Sequence, residues 1–288
     1  QTLDMPEVDL MRERKNFHQE TSARSYDLRL NDRVCFRLHE TVEAGPGDSS
    51  ALQKGLVMLV EGRAVCGEGV GFGVPAVEYL GRILFCTHAT VRVRNKELVK
   101  SFSTDTVQRK TWRQRFPVDS RVYLLLERRL VNRYRLDSRQ RAFLFHVMRF
   151  ISLLGFRLSY QKIRSRGLIE IRYRLSGRNV EVTVDSSQLI DRRYERLLIF
   201  NEQSSGFDLY KDKIRTLKGD EIGVWEMTES ERACLTNTHA RVTFCVRNVE
   251  GAVLYRGREL LRPRLDWAGF CYSVPPSKER FEYTIEIN

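Results

Sequence analysis

The stretch from Gly167 to Asp185 constrains the fold more than any other part of the chain, because apolar and polar residues alternate along it almost without error. Ile169, Ile171, Tyr173 and Leu175 share one side, Glu170, Arg172 and Arg174 the other, and Val180, Val182 and Val184 resume the pattern beyond Ser176-Gly177-Arg178-Asn179. A period of two belongs to an extended strand, so the segment reads as a β-hairpin. Pairing Leu175 with Val180 across a four-residue loop sets Tyr173 opposite Val182 and Ile171 opposite Val184. One face is then continuously apolar and demands a second layer.

The same pattern recurs along the chain. Asp27 to Glu40 alternates around a turn at Asn31-Asp32, Leu56 to Cys66 reads as a strand, and Ala76 to Val93 reads as a hairpin turning at Gly81-Arg82. From Ile222 onward the runs IGVWEM, RVTFCVRNV, AVLYRGREL, AGFCYSV and FEYTIEI are all strand-like. Helices are expected over Asp119 to Tyr134, Ser187 to Leu198 and Asp208 to Lys218, the last capped by Asp208 and stopped by Gly219. Ala142 to Tyr160 leans to strand, and Ser101 to Phe116 reads as a long polar connection. Strands do not alternate with long helices, which argues against a doubly wound α/β sheet. The fold class is mainly β: a large antiparallel β-sandwich over residues 26–288, with a few short helices, behind a charged N-terminal arm at 1–25.

The 288 residues are 42% hydrophobic and 30% charged, ample for a core and unlike a disordered chain. The longest apolar run, Ala142 to Phe156, contains His146 and Arg149 and is too short to span a bilayer, so no membrane association is expected. The first residues carry acids and no apolar run, which is unlike a signal peptide. Six cysteines, at 35, 66, 86, 234, 245 and 271, lie far apart and mostly within apolar strands. That usage predicts reduced, buried thiols and a cytoplasmic location. Their spacing to His88 and His239 fits no zinc pattern, so neither a metal nor a cofactor is expected.

The net charge of +12 is unevenly placed. Arg92 to Arg178 carries 23 Lys and Arg against 6 Asp and Glu, while the remainder of the chain carries 26 against 31. Such a stripe suits nucleic acid or another polyanion, or it is the solvated side of arginine-bearing strands.

Gly67, Gly69, Gly71 and Gly73 occupy alternate positions in GEGVGFG. Pro75 and an alternating run follow, where a dinucleotide fingerprint needs a helix, so the nucleotide reading fails. Glycine at every second position instead bares one strand face, which a backbone, a ring or a ligand can then approach. Gly69, Gly71 and Gly73 are thus candidate ligand-binding positions, joined by Trp225 and Arg92. Candidate catalytic groups are His88 and His239, which can exchange protons near neutrality, with Glu202 and Glu226. The Trp225-Glu226 pair has the chemistry of sugar sites, where a ring stacks on C–H faces and an acid holds hydroxyls or moves protons.

The early Gly- and Pro-rich hairpin VGFGVPAVEYLGRILF, the long middle series of strands and the closing strands with Trp225-Glu226 and GRELLRPRLDW together resemble the galactose-mutarotase-like supersandwich superfamily, across most of Asp27 to Asn288. That family includes sugar epimerases, non-catalytic domains of glycosidases and lyases of acidic polysaccharides. The resemblance implies a carbohydrate ligand, and the basic middle third would suit an anionic sugar. His88, His239 or His146 with Glu226 would then supply a histidine–carboxylate set. Two other readings stay open: a polyanion or nucleic-acid binder using the arginine-rich strands, and a structural oligomer.

Overall fold

The structure, a computed structural model, describes residues 25–40, 54–65, 70–79, 82–94, 97–112, 157–163, 167–189, 194–202, 206–222, 226–262 and 265–288. It is mainly β, with antiparallel pairing throughout. A small sheet, in the order β1-β2-β3-β4, comprises β1 (Ser25–Arg29), β2 (Val34–His39), β3 (Val57–Val60) and β4 (Arg63–Ala64). The turn before β2 is set by Asn31, whose Oδ1 accepts from the amides of Arg33 and Val34.

A 15-stranded sheet holds the rest. Its strands are β5 (Gly71–Tyr79), β6 (Arg82–Arg94), β7 (Glu97–Trp112), β8 (Arg157–Ile163), β9 (Leu168–Ser176), β10 (Asn179–Asp185), β11 (Arg196–Glu202), β12 (Phe207–Asp212), β13 (Thr216–Lys218), β14 (Glu226–Met227), β15 (Arg232–Asn237), β16 (Val242–Arg247), β17 (Val253–Arg262), β18 (Leu265–Val274) and β19 (Arg280–Ile287). The order is β13-β12-β15-β16-β19-β10-β9-β7-β6-β5-β11-β18-β17-β14, with β8 also on β7. β12 and β17 stand near opposite ends of this order, yet the Arg256 guanidinium of β17 lies 4.9 Å from the Tyr210 ring centroid of β12. The sheet is therefore folded over into two facing layers. Between them, the Phe244 ring meets Phe72, Phe207 and Phe270 edge-on at 5.0 to 5.6 Å. Burying each such ring contributes about 2–3 kcal/mol.

The hairpin of β9 and β10 pairs Leu175 with Val180, Tyr173 with Val182 and Ile171 with Val184, the register that the alternation dictates. Its loop is tighter than expected: Ser176 and Asn179 pair, leaving Gly177 and Arg178 to turn, with Gly177 at φ 61°. Ile169, Ile171, Tyr173, Val180, Val182 and Val184 are all buried. β19 enters from the far end of the sequence and lies between β10 and β16.

Other expectations are corrected. Ser101 to Trp112 is strand, part of the 16-residue β7; Leu98, Lys100 and Phe102 near its start are buried. The expected helix over Asp208 to Lys218 is the hairpin of β12 and β13, in which Asp208 accepts from Thr238 instead of capping. Arg196 to Leu198 belong to β11, because their apolar residues serve two covered faces of one strand. GEGVGFGVP is no simple separator, since β5 already begins at Gly71. A 3-10 turn at Gly219–Ile222 packs against β12, β13 and β17. Asp119 to Tyr134, residues 142–156 and the arm at 1–24 lie outside the described residues.

The six-thiol expectation is overturned by a Cys234–Cys245 disulfide. The two are register partners on β15 and β16, so the ladder itself brings them together. Cys35, Cys86 and Cys271 are not disulfide-bonded. The thiol argument for a reducing compartment goes with that bond. No helix among the described residues is long and apolar enough to cross a membrane.

Candidate functional site

The site is built on β11, whose two faces are both covered. Toward the main core it sends Leu197, Ile199 and Asn201. The β5–β11 register skips Gly73, so Gly73 is a bulge with φ +72°. Its amide donates to Asn201 Oδ1 at 3.0 Å, and the same oxygen accepts from the Tyr283 hydroxyl at 2.7 Å. The Tyr173 hydroxyl reaches the Phe72 and Gly73 carbonyls at 2.9 and 3.0 Å. Burial pushes the phenols of Tyr173 and Tyr283 well above their ordinary range, so both stay neutral donors. This polar knot is satisfied and structural.

The glycine groove does not exist as expected at these two positions. A Cβ at Gly73 would stand 2.7 Å from the Tyr173 hydroxyl, and one at Gly71 would stand 3.0 Å from the Leu56 carbonyl. The protein's own ring and backbone occupy the bared face. Gly69 lies outside the described residues.

On the opposite face β11 carries Arg196, Leu198, Phe200 and Glu202. Register partners share a face in an antiparallel sheet. Two cross-sheet rows follow: Ala76–Leu198–Ser273–Val253 and Val74–Phe200–Cys271–Tyr255. A third, Gly71–Glu202–Gly269–Gly257, sets the buried Glu202 among glycines of three neighbouring strands. A Cβ at Gly269 would come within 2.7 Å of Glu202 Cγ, so this glycine makes room for the glutamate. Val70, Val74, Ala76, Leu198, Phe200 and Cys271 form a separate buried apolar cluster, with Tyr255 packed against it.

At the Arg196 end of this face an open cleft of about 360 Å³ is lined by Glu195, Arg196, Val253, Tyr255 and Ser273, closed by the Gly251-Ala252 turn and Pro275. Arg196 Nε and an Nη both reach one oxygen of Glu78, at 2.7 and 2.6 Å. Burial pulls the guanidinium down, but the Glu78 carboxylate and the Tyr255 hydroxyl outweigh it and hold Arg196 above its ordinary value. The arrangement offers guanidinium and hydroxyl donors and a carboxylate acceptor beside the apolar Ala252, Val253 and Pro275. Arg196, Tyr255 and Ser273 gave no motif in the sequence; only the strand register assembles them.

The remaining expected residues disperse. Glu226 pairs with Arg256 at 2.8 Å, and Arg256 also donates to the Ile222 carbonyl. Glu226 belongs to the inner-face row of Asn201, Phe270 and Arg256, and three strand spacings separate it from Glu202, about 14 Å. His239 is exposed in the turn between β15 and β16, where Ala240 and Arg241 present their carbonyls to Arg33. His88 lies in β6, its backbone paired with Ser103, two strands from β11. Arg92 is exposed and lies 3.9 Å from Glu170. Trp225 and His146 lie outside the described residues.

The described arginines are mostly matched by acids. Arg174 pairs with Glu181, Arg172 with Glu170, Arg280 with Glu282, and both Arg232 and Arg247 with Glu286. Among the described residues no cluster of three or more His, Cys, Asp and Glu could hold a metal.

No family model and no curated protein matches the chain. Among solved structures, a candidate aldose 1-epimerase of Escherichia coli K12 is 7% identical, with 93% of this chain and 99% of that one covered and a TM-score of 0.38. A protein called HI1317 is 5% identical, over 92% and 100%, with a TM-score of 0.32. At this similarity neither neighbour's activity transfers to this chain.

Proposed function

We propose that the protein is carbohydrate-directed and seats a sugar in the cleft of Arg196, Tyr255 and Ser273. The observation that carries this reading is the cleft itself: the Arg196 guanidinium, the Glu195 carboxylate and the Tyr255 and Ser273 hydroxyls line it together with apolar Ala252, Val253 and Pro275. Sugar hydroxyls both donate and accept, and their C–H faces suit an aromatic neighbour. Glu202 is a further carboxylate on the same face, two strands and two residues from Tyr255, about 12 Å away. Hydrolysis through Glu202 and Glu226 is the chemistry this geometry opposes, since glycosidase carboxylates stand about 5 to 9.5 Å apart. Within the basic stripe, the described Arg92 and Arg172 lie beside Glu170 and Arg174 beside Glu181. Residues 26–288 act as one unit in this reading, because Lys100 and Arg33 tie the small sheet to the large one.

Calorimetric titration with a panel of neutral and uronic mono- and disaccharides tests the proposal. Saturable binding is expected, weakened about tenfold or more in Arg196→Ala, the loss that one or two charge-assisted hydrogen bonds imply. Binding of single-stranded DNA that falls steeply with salt, without any saccharide response, would overturn it.

A further inference from the structure

The Cys234–Cys245 bond lies away from the cleft, on the outward face of β15 and β16, and we infer that it is a thiol–disulfide exchange site taking a soluble monothiol at Cys234. Three observations support this assignment. First, the pair adds no architecture. Six register pairs, Arg232↔Arg247 through Asn237↔Val242, hold the two strands together, and the two Cα atoms sit 4.0 Å apart within that ladder. The core-facing Ala233, Leu235, Phe244 and Val246 are each fully buried on the face opposite the sulfurs. Opening the bond therefore leaves the sheet closed, and the reaction can reverse.

Second, the two sulfurs are unequal. Cys234 is partly exposed, whereas Cys245 is 1% exposed. Glu286 is the register partner of Cys245, and its carboxylate accepts from Arg247 and Arg232, both at 2.8 Å. Since Arg232 is on β15 and Glu286 on β19, this bridge crosses β16 beside Cys245 and leaves Cys234 as the reachable atom. Third, the Asn288 side-chain amide lies 3.9 Å from Cys245 Sγ, a donor for a departing thiolate.

The step balances as follows. A thiolate attacks Cys234 Sγ, the Cys234–Cys245 bond breaks, and Cys245 leaves as a thiolate that takes a proton from solvent. A second monothiol then attacks the small-molecule sulfur of the mixed disulfide and frees Cys234. Two thiols give up two electrons and become one small disulfide, while the protein gains two thiols.

Peptide-resolved differential alkylation in glutathione buffers of graded redox poise tests the assignment, with circular dichroism on the same samples. Cys234 and Cys245 should pass together from blocked to alkylated while the β signal and the melting transition persist. In Cys245→Ser, oxidised glutathione should add one adduct at Cys234; in Cys234→Ser, the Cys245 thiol should react about tenfold more slowly or less, as access governs exchange. Alkylation of both cysteines at every poise, opening only when the protein unfolds, or an adduct forming as fast on Cys245 would each overturn it.

Discussion

The two faces of β11 carry polar groups to opposite ends. On the inner face Asn201 is enclosed and spends every oxygen contact on the protein, joining the Gly73 bulge to Tyr283. On the outer face Arg196 anchors to Glu78 yet keeps 44% of its side chain exposed, facing an open cleft. Burial of a polar residue is thus no guide to function by itself. Full satisfaction within the fold marks structure, and partial satisfaction at a cavity marks a place for a ligand.

The comparison breaks most sharply at Gly73. Replacing it with leucine sets a side chain on a φ of +72° and against the Tyr173 ring. A loss of about 3 kcal/mol or more is expected in urea unfolding, or no folded protein at all. A Gly73→Leu variant with wild-type stability would mean that the inner face is roomier than drawn. Asn201→Leu comes next. It strips an acceptor from the Gly73 amide and the Tyr283 hydroxyl, and about 2–4 kcal/mol should be lost by the same measurement.

Lys100 tests the inner rule from another side. Its ammonium is buried, donating to the carbonyls of His39 and Lys54 at 3.0 and 2.7 Å, and burial pulls its pKa from 10.5 down to about 7. Between those values the unfolded chain holds the proton more firmly than the fold does, so stability should rise with pH across that window. Below about pH 7 the penalty is fully present. Urea midpoints from pH 7 to 10 should climb in the wild type and climb less in Lys100→Gln; parallel slopes would remove Lys100 from the account. The smallest change in stability is expected at the outer face. Tyr255→Ala should lower the unfolding free energy by under about 1 kcal/mol while sugar affinity falls about tenfold, a split that an inner-face residue cannot produce.

What was legible in the sequence follows the same division. The β9–β10 register could be read because a period of two with one buried face admits a single pairing. β12 and β13 read as helix because Asp208 suits a cap and Gly219 a stop, yet an aspartate and a glycine border a short hairpin as readily. β7 was missed because Lys100 and Ser101 interrupt its apolar run, though both are buried. Of the expected site residues that are described, Glu202 and Gly71 share a strand row. The cleft joins β11 to β17 and β18 across more than fifty positions of sequence, and no local pattern encodes that adjacency.

The placement of β19 bears on how such a chain reaches its fold. This strand lies inside the sheet, pairing β10 on one side and β16 on the other. Until residues 280–287 emerge from synthesis, β10 and β16 each present an open row of backbone donors and acceptors. Every nascent chain passes through a stage with two sticky edges and no means of closing them. The strand that closes the sheet is thus the last one made, and a chain lacking residues 280–287 would expose both of its neighbours' edges.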